Sequence, residues 1–573
     1  MQLKEFVTEN LNYDVCIVGG GIAGICAAIS AARHGAKTAL VQDRSVLGGN
    51  ASSEIRMWIC GAHGSDNKET GILEEILLEN LYRNPGLKYS IWDTVLYEKV
   101  HFQKNLTLLL NTSCNDLKVE NNIIKSIRCW QLSSQKWINI SSKYFVDCSG
   151  DSVLRISGAD FRWGREASEE FKESHAPDKA DEKTMGNSLL LQLRKTDNHV
   201  PFIAPTWAYK YTTEDLPNRN LKGRDNFWWI EIGGTKNTIT DAEEIRDDLY
   251  KIAYGVWDLI KNHSDGRGHE WELEWIGSLP GKRENVRYEG DVILNQNDVE
   301  AEGKFDDMVA YGGWSMDDHH PEAIEFKGSP TIFHPAPSPY GIPFRCLYSK
   351  NIDNLMMAGR NISATHMALS STRVMATCAI IGQAVGTAAA IALRESITPR
   401  EVYKNHILEL QKTLMDDDCY LPWHNRKASN TMEASSINGS GDINALTNGL
   451  DRQLGDKSNG WEGKCGETIS IVFDKERKIN AMRCIFDSNL KNVKRMPCNA
   501  SIAHKDCRVP KELLKTFTIK AKQNGVWKSI HNETNNYQRL AIIDLNLSCE
   551  AIEFTPIETW GSEKVRIFSL DLI

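Results

Sequence analysis

Along the chain the period of the apolar residues changes several times. Tyr13 to Val18 (YDVCIV) is a short β-branched run, the pattern of a parallel strand buried on both faces. Gly19-Gly20-Gly21-Ile22-Ala23-Gly24 follows at once, then an alanine-rich segment to His34 that stops at Gly35, then a second apolar run from Thr38 to Val41. Strand, G-x-G-x-x-G, helix and strand in that order predict a βαβ unit that cradles phosphate. Between roughly residues 155 and 345 strands alternate with helices. NFWWIEIGG from Asn226 reads as a strand, and Asp241 to His263 as an amphipathic helix with an acidic first turn. The charged run from Arg165 to Lys183 reads as a solvated loop. Val374 to Leu393 is uncharged but built from Ala, Gly, Thr, Gln and Cys, which suits a helix packed tightly inside protein better than one facing lipid. After Lys412 an acidic stretch and Pro422 predict a linker. From Ala434 the period becomes that of short alternating strands, such as Thr468 to Phe473, Phe517 to Lys520 and Val565 to Leu572, an all-β sandwich or jelly roll.

Composition narrows the partners. The 573 residues, 41% hydrophobic and 25% charged, suffice for two or three domains. A net charge of -9 with no long basic tract argues against nucleic acid or an anionic membrane as the main partner, and for a small-molecule substrate. The first fifteen residues lack an apolar h-region behind a basic start, so a cytoplasmic protein is expected. The fourteen cysteines form no CxxC pair, as expected of buried reduced thiols, and no metal ligand set is read from them. Self-association is left open.

In the glycine turn, Gly19 permits the tight bend, Gly21 lets backbone approach a pyrophosphate, and Gly24 lets helix and strand pack closely, with Ile22 and Ala23 opening the helix. Where an acidic residue usually holds a ribose, this chain has Gln42, with Asp43 one place later. Either side chain can bond ribose hydroxyls. The turn alone does not say which dinucleotide is bound.

The next segment, Leu47-Gly48-Gly49-Asn50-Ala51-Ser52-Ser53, resembles flavoproteins of the glutathione-reductase and fumarate-reductase type, and QDRSVLGGNASSEIRMW is similar to the FAD-dependent oxidoreductases. YFVDCSGD from Tyr144, PGKRENVRYEGDVILNQNDV from Pro280, VAYGGWSMDDHH from Val309, and NIDNLMMAGRNISATHMALSSTRVMATCAIIGQAVGTAAA from Asn351 resemble further motifs of that family. The resemblance implies FAD as cofactor, held by the glycine turn, Gln42 or Asp43, Gly48, Gly49, Asn50, Ser149, Gly150, Asp151, Gly359, Arg360 and Thr372. Without a second G-x-G-x-x-G there is no dedicated NAD(P)H domain, so the electron donor or acceptor is not identified. ALTNGLDRQLGDKSNGWEGKCGETIS, from Ala445, resembles galactose-binding-like, discoidin-type modules.

Ser370, Ser371 and Thr372 read as N-caps of the uncharged helix. His366, between the Ala358-Gly359-Arg360 turn and that helix, is the first choice for acid–base work. Arg373 and His319 join it as catalytic candidates. Arg56, Arg283 and Arg345 are candidates for binding an oxygen-rich or anionic substrate. Among the tryptophans, Trp228, Trp229, Trp257, Trp271 and Trp275 read as core, whereas Trp314 sits beside Asp317, His319 and His320 where polar groups converge.

The expected fold is therefore α/β: a discontinuous Rossmann-like FAD-binding domain (1–160 and 346–412), an inserted α+β substrate domain (161–345), a linker (413–433) and a C-terminal all-β sandwich (434–573). The expected activity is hydride transfer between flavin N5 and a carbon of a small polar substrate such as a carbohydrate or polyol. The alternatives are reduction of an activated C=C bond and a non-catalytic carbohydrate-binding scaffold.

Overall fold

The computed structural model describes residues 5–222, 226–455, 459–497 and 508–573. Asp456 to Ser458, inside the discoidin-like stretch, lie outside the described residues. The chain forms two compact units, one of Met1–His63, Gly86–Leu410 and Arg495–Lys505, the other of Gly64–Pro85, Gln411–Lys494 and Asp506–Ile573.

In the first unit β1 (Thr8–Val18), α1 (Ile22–Arg33) and β2 (Thr38–Val41) form the expected βαβ unit. With β3 (Leu106–Leu109), β4 (Thr112–Glu120), β5 (Ile123–Gln131), β6 (Lys136–Asp147) and β7 (Leu355–Met357) they make one sheet, ordered β3-β2-β1-β6-β5-β4 with β7 also on β6. Strands β3, β2, β1, β6 and β7 run parallel, and β4 and β5 extend the sheet as an antiparallel meander. β1 is longer than its apolar run because its polar half, Thr8 to Tyr13, pairs with the first half of β6. Only Val15 to Val18 are buried on both faces.

The C-terminal motif forms two helices, α2 (His366–Thr372) and α3 (Met375–Glu395). α3 is long and apolar enough to span a membrane by composition, yet 94% of its apolar window is buried within the protein. Its small residues allow close contact with α1. A Cβ on Gly382 would lie 2.1 Å from the Ala23 carbonyl oxygen, one on Gly386 2.2 Å from that of Ala27, and Ser30 and Thr387 share a 2.7 Å hydrogen bond. The expected caps are placed differently. Thr365 caps α2, while Ser370, Ser371 and Thr372 lie inside it, because the chain turns at Arg373 and restarts as α3 after Val374.

The insertion packs around Trp229, Trp257 and Trp271 against the amphipathic helix Ala242–Lys261. Two expectations fail there. The run from Asn226 is a turn with Phe227 at φ 60°, and only Glu231–Ile232 forms a strand, against Asn187–Ser188. Nor is Arg165 to Lys183 simply solvated, since Glu166 and Glu173 are buried.

Among the described residues the second unit is an antiparallel sheet of seven strands: β8 (Ser435–Asn438), β9 (Trp461–Lys464), β10 (Ile469–Phe486), β11 (Leu514–Gln523), β12 (Val526–Glu533), β13 (Leu540–Thr559) and β14 (Lys564–Leu572), ordered β9-β14-β10-β13-β11-β12 with β8 on β10. Along β10 the core residues are Ile469, Ile471, Phe473 and Ile479, then Met482, Cys484 and Phe486. Their parity flips at a register break between Ile479 and Ala481. A flip of parity turns the inward face over, so the halves of one long strand enclose a common core. The helix Ile72–Arg83 belongs to this unit through Leu78, and Glu74 pairs with Lys494 at 3.0 Å. The expected linker is structured: helix Pro399–Asp416 runs into it, Arg426 pairs with Asp416 and Asp571, and Asp418 with Arg539 at 2.8 Å.

Alanine at position 386 tests the helix contact. In an open helix it would gain about 1 kcal/mol over glycine. Here overpacking reverses the sign, and G386A is expected to destabilise the protein by about 1–3 kcal/mol in urea unfolding; an unchanged or raised midpoint contradicts the packing argument.

Candidate active site

The turn after β1 has no room for side chains where the fold closes on itself. A Cβ on Gly19 (φ 107°) would lie 2.4 Å from the Cys148 carbonyl oxygen, and one on Gly24 1.8 Å from that of Gly19. Gly21 meets only the Gly49 Cα, at 4.0 Å, so its other side is open. α1 starts there with no side-chain cap, leaving its first N–H groups to the groove. This groove, of about 430 Å³, is lined by Gly19 to Ala23, Gln42, Asp43, Gly48 to Asn50, Ser149 to Asp151, Gly359 and Arg360. Gln42 is buried and its amide is committed: Oε1 accepts the Gly20 N–H at 2.7 Å and Nε2 donates to the Val46 carbonyl at 3.1 Å. The Asp43 side chain is 65% exposed.

At the end of β6 the buried Asp147 carboxylate joins three motifs. It accepts the Ser149 N–H and hydroxyl at 2.9 and 2.6 Å, the Leu154 N–H at 2.8 Å, the Tyr288 hydroxyl at 2.6 Å and the Asn361 amide at 3.2 Å. Asp151, four residues on, accepts Lys282 Nζ at 2.7 Å and Asn285 Nδ2 at 2.5 Å, with Arg360 at 3.6 Å. Burial alone would raise its pKa, but Lys282 and Arg360 outweigh this and hold it below the usual range. The Lys282 carbonyl accepts from both Asn50 and Arg360.

A second hollow of about 280 Å³ adjoins the groove and shares Asn50, Ile55, Lys282, Arg360, Arg373 and Met375 with it. Its walls include Trp58, Trp228, Trp314 and Phe333. Its polar groups come from the hairpin of Met316–His319 and Thr331–His334, from the rest of the insertion, and from Asn50, Arg360 and Arg373. Alternation along the first hairpin strand turns Asp317 and His319 to the cavity and Asp318 away from it. His319 Nδ1 lies 2.6 Å from Glu231 Oε2, and Nε2 3.4 Å from Asp317 Oδ1. Arg283 pairs with Glu231 at 3.2 Å, and Arg373 with Asp317 at 3.0 Å. Burial would push both carboxyls up, but Arg283 and His319 beside Glu231, and His319 and Arg373 beside Asp317, hold both below the ordinary range. The imidazole of His319 thus lies between two carboxylates, Glu231 at Nδ1 and Asp317 at Nε2, on the lining of the cavity.

Of the expected residues, the structure gathers His319, Arg373, Arg283 and Trp314 around this cavity. His366 is placed behind it: 2% exposed, with Nδ1 2.9 Å from Glu284 and Nε2 3.1 Å from Asp318, and not part of the lining. Burial alone would lower its pKa, but Glu284 and Asp318 raise it to about 10. Arg56 is stacked between Tyr89 and Trp275, at 4.9 and 4.3 Å, and donates to Gln192 at 2.6 Å. Arg345 is held by Asp307 at 2.8 Å, away from both hollows. Thr372 is buried inside α2 and does not line the groove. Glu231, Lys282, Trp58 and Phe333 were not anticipated. Glu231 did leave a trace, a lone carboxylate within the aromatic run FWWIEI.

Among curated relatives, glycerol-3-phosphate dehydrogenase of Mycobacterium leprae is 36% identical over 76 residues, 13% of either chain. Glycerol-3-phosphate dehydrogenase 2 of Mycobacterium tuberculosis matches to the same extent, so the chain spans only about an eighth of the length of these relatives. Among solved structures, a geranylgeranyl bacteriochlorophyll reductase-like protein of Thermoplasma acidophilum is 10% identical, with 72% of this chain and 84% of that one covered at a TM-score of 0.30. The family 32 carbohydrate-binding module of Streptococcus pneumoniae EndoD is 14% identical, covering 25% of this chain and 99% of its own at a TM-score of 0.20. The model of the FAD dependent oxidoreductase family matches residues 14–414. With its glycine turn, open groove and adjoining cavity within that span, the chain belongs to the FAD dependent oxidoreductase family.

Proposed function

We propose that this enzyme transfers hydride between FAD and a carbinol carbon of a small polyhydroxylated substrate, a carbohydrate or polyol, held in the tryptophan-walled cavity. The observation that carries the reading is the Glu231–His319 pair at a cavity sharing six residues with the dinucleotide groove. FAD supplies the hydride acceptor or donor. The chain supplies the rest. The uncapped start of α1 would hold the pyrophosphate, and Asp43, not the committed Gln42, the adenosine ribose. The N-terminus of α3 opens at Met375 on the boundary of the two hollows and offers partial positive charge there. His319 Nε2, exchanging its 3.4 Å contact with Asp317 for the substrate's hydroxyl, takes the hydroxyl proton, and Glu231 and Asp317 stabilise the imidazolium that forms. The indoles pack against ring faces and exclude water.

Reduction of an activated double bond with an arginine clamp fits less well, because Arg283 and Arg373 each already carry a carboxylate partner.

Anaerobic titration with sugars and polyols is expected to bleach the flavin, and no bleaching by any hydroxylated compound contradicts the reading. In H319Q the rate of bleaching is expected to fall about 10²–10³-fold with FAD content retained, as loss of a positioned general base implies. A smaller fall, under threefold, would remove His319 from the proton transfer.

His366 offers a contrasting test. Its folded pKa of about 10 lies above its unfolded value, so its stabilising contribution is complete below about pH 6.5 and is lost as pH rises toward 10. The stability difference between the protein and H366Q should therefore shrink between pH 7 and 10 in urea unfolding; a difference that grows with pH would contradict the sign.

A further inference from the structure

Packed against two residues of the cavity lining, though not itself part of that lining, is a cation that the hydride chemistry does not use. The chain passes from the second unit to the first between Lys494 and Arg495. The Arg495 guanidinium carbon lies 5.6 Å from the centre of the Trp58 ring, and its Nη1 3.9 Å from Cys60 Sγ. Trp58 and Cys60 both line the cavity, and the Cys60 carbonyl accepts the Ala376 N–H at 2.9 Å in the first turn of α3. The backbone beside Arg495 is anchored, since Met496 and Pro497 are buried and the Pro497 carbonyl accepts the Tyr89 hydroxyl at 2.9 Å. Arg495 is thus held by its neighbours in sequence against Trp58 and Cys60, one residue outside the lining, so that a ligand reaches it by a shift of the Trp58 or Arg495 side chain.

Charge pairing around the cavity is nearly complete. Arg283 has Glu231, Arg373 has Asp317, and Lys282 and Arg360 share Asp151. The contacts of Arg495 among the described residues are an indole face and a thiol, both uncharged. Burial pushes that thiol up to about 11, so near neutral pH its sulfur carries no compensating charge. A half-buried guanidinium with one donor on a thiol keeps a planar fork of N–H groups suited to an oxyanion.

Resting on the reading of this cavity as the substrate site, we propose that Arg495 is its specificity-determining cation and selects substrates that carry an oxyanion, a carboxylate or a phosphate, beside the hydroxyl to be oxidised. The α1 turn and the His319 pair decide what chemistry is done, and Arg495 decides on which member of the class.

The test uses the FAD-loaded full chain and binding read from the flavin absorbance difference spectrum. The probes are hexoses, each titrated as the neutral sugar, the uronate and the 6-phosphate, so the arms separate carboxylate from phosphate. Wild type is expected to bind one anionic form about tenfold or more tightly than the neutral form, the worth of a charge-assisted hydrogen bond. In R495Q that ratio should fall toward one, and R495K should recover part of it. Were Arg495 only a structural plug on Trp58, R495Q would weaken all three forms in parallel and leave the ratio unchanged. A ratio that survives in R495Q, or no anionic preference in wild type, overturns the assignment and leaves the cavity as the substrate site. A flavin spectrum that no probe changes overturns both.

Discussion

The architecture of the first unit hangs on one buried carboxylate. Asp147 ends β6, is fully buried, and receives hydrogen bonds from the turn after β6, from Tyr288 of the insertion and from Asn361 of the C-terminal motif. A carboxylate with no exposure is tolerable only when its lone pairs are taken up by donors. That requirement fixes three segments distant in sequence to the same point beside the dinucleotide groove. Asp151 repeats the device four residues later, drawing in Lys282 and Arg360, which stand on the border between groove and cavity. The groove and the cavity are thereby built from the same anchored strand end.

The arrangement of charged groups around the cavity then follows from a strand's period of two. Met316–His319 presents Asp317 and His319 to one side, where Glu231, Arg283 and Arg373 meet them, and Asp318 to the other, where it meets His366. His319 and His366 thus have separate environments. Each is set between two carboxylates, Glu231 and Asp317 for His319, Glu284 and Asp318 for His366, but only His319 lines the cavity. The second cluster keeps α2 in place, since Glu166 accepts the His366 N–H and Glu173 the Thr365 hydroxyl.

The βαβ unit, the glycine roles, the buried Ala/Gly helix and the antiparallel C-terminal unit were legible in the sequence, because each rests on local periodicity or on a residue type with few alternatives. The small residues of α3 announce the close approach to α1 that they permit. The site was legible only in part. His319, Arg283, Arg373 and Trp314 stand in motifs, but Glu231 reaches the site from a short strand in an aromatic run that tertiary packing bends into a turn at Phe227. His366 drew attention by its place in the chain, and its burial depends on carboxylates at positions 284 and 318, which no local pattern could bring to it. Glu166 and Glu173 sit in a run whose charge suggested solvent, and only partners far along the chain make their burial affordable.

The helix Ile72–Arg83 bears on how the protein is made. Encoded before most of the FAD-binding unit, it lends Leu78 to the core of a sheet whose strands begin at Ser435. That core stays incomplete until the C-terminal strands have left the ribosome, so for most of synthesis the helix has an apolar side and no sheet to receive it. The two units are threaded through one another in sequence, and the sandwich is not a tail that can be cut off at a single peptide bond and leave both pieces whole.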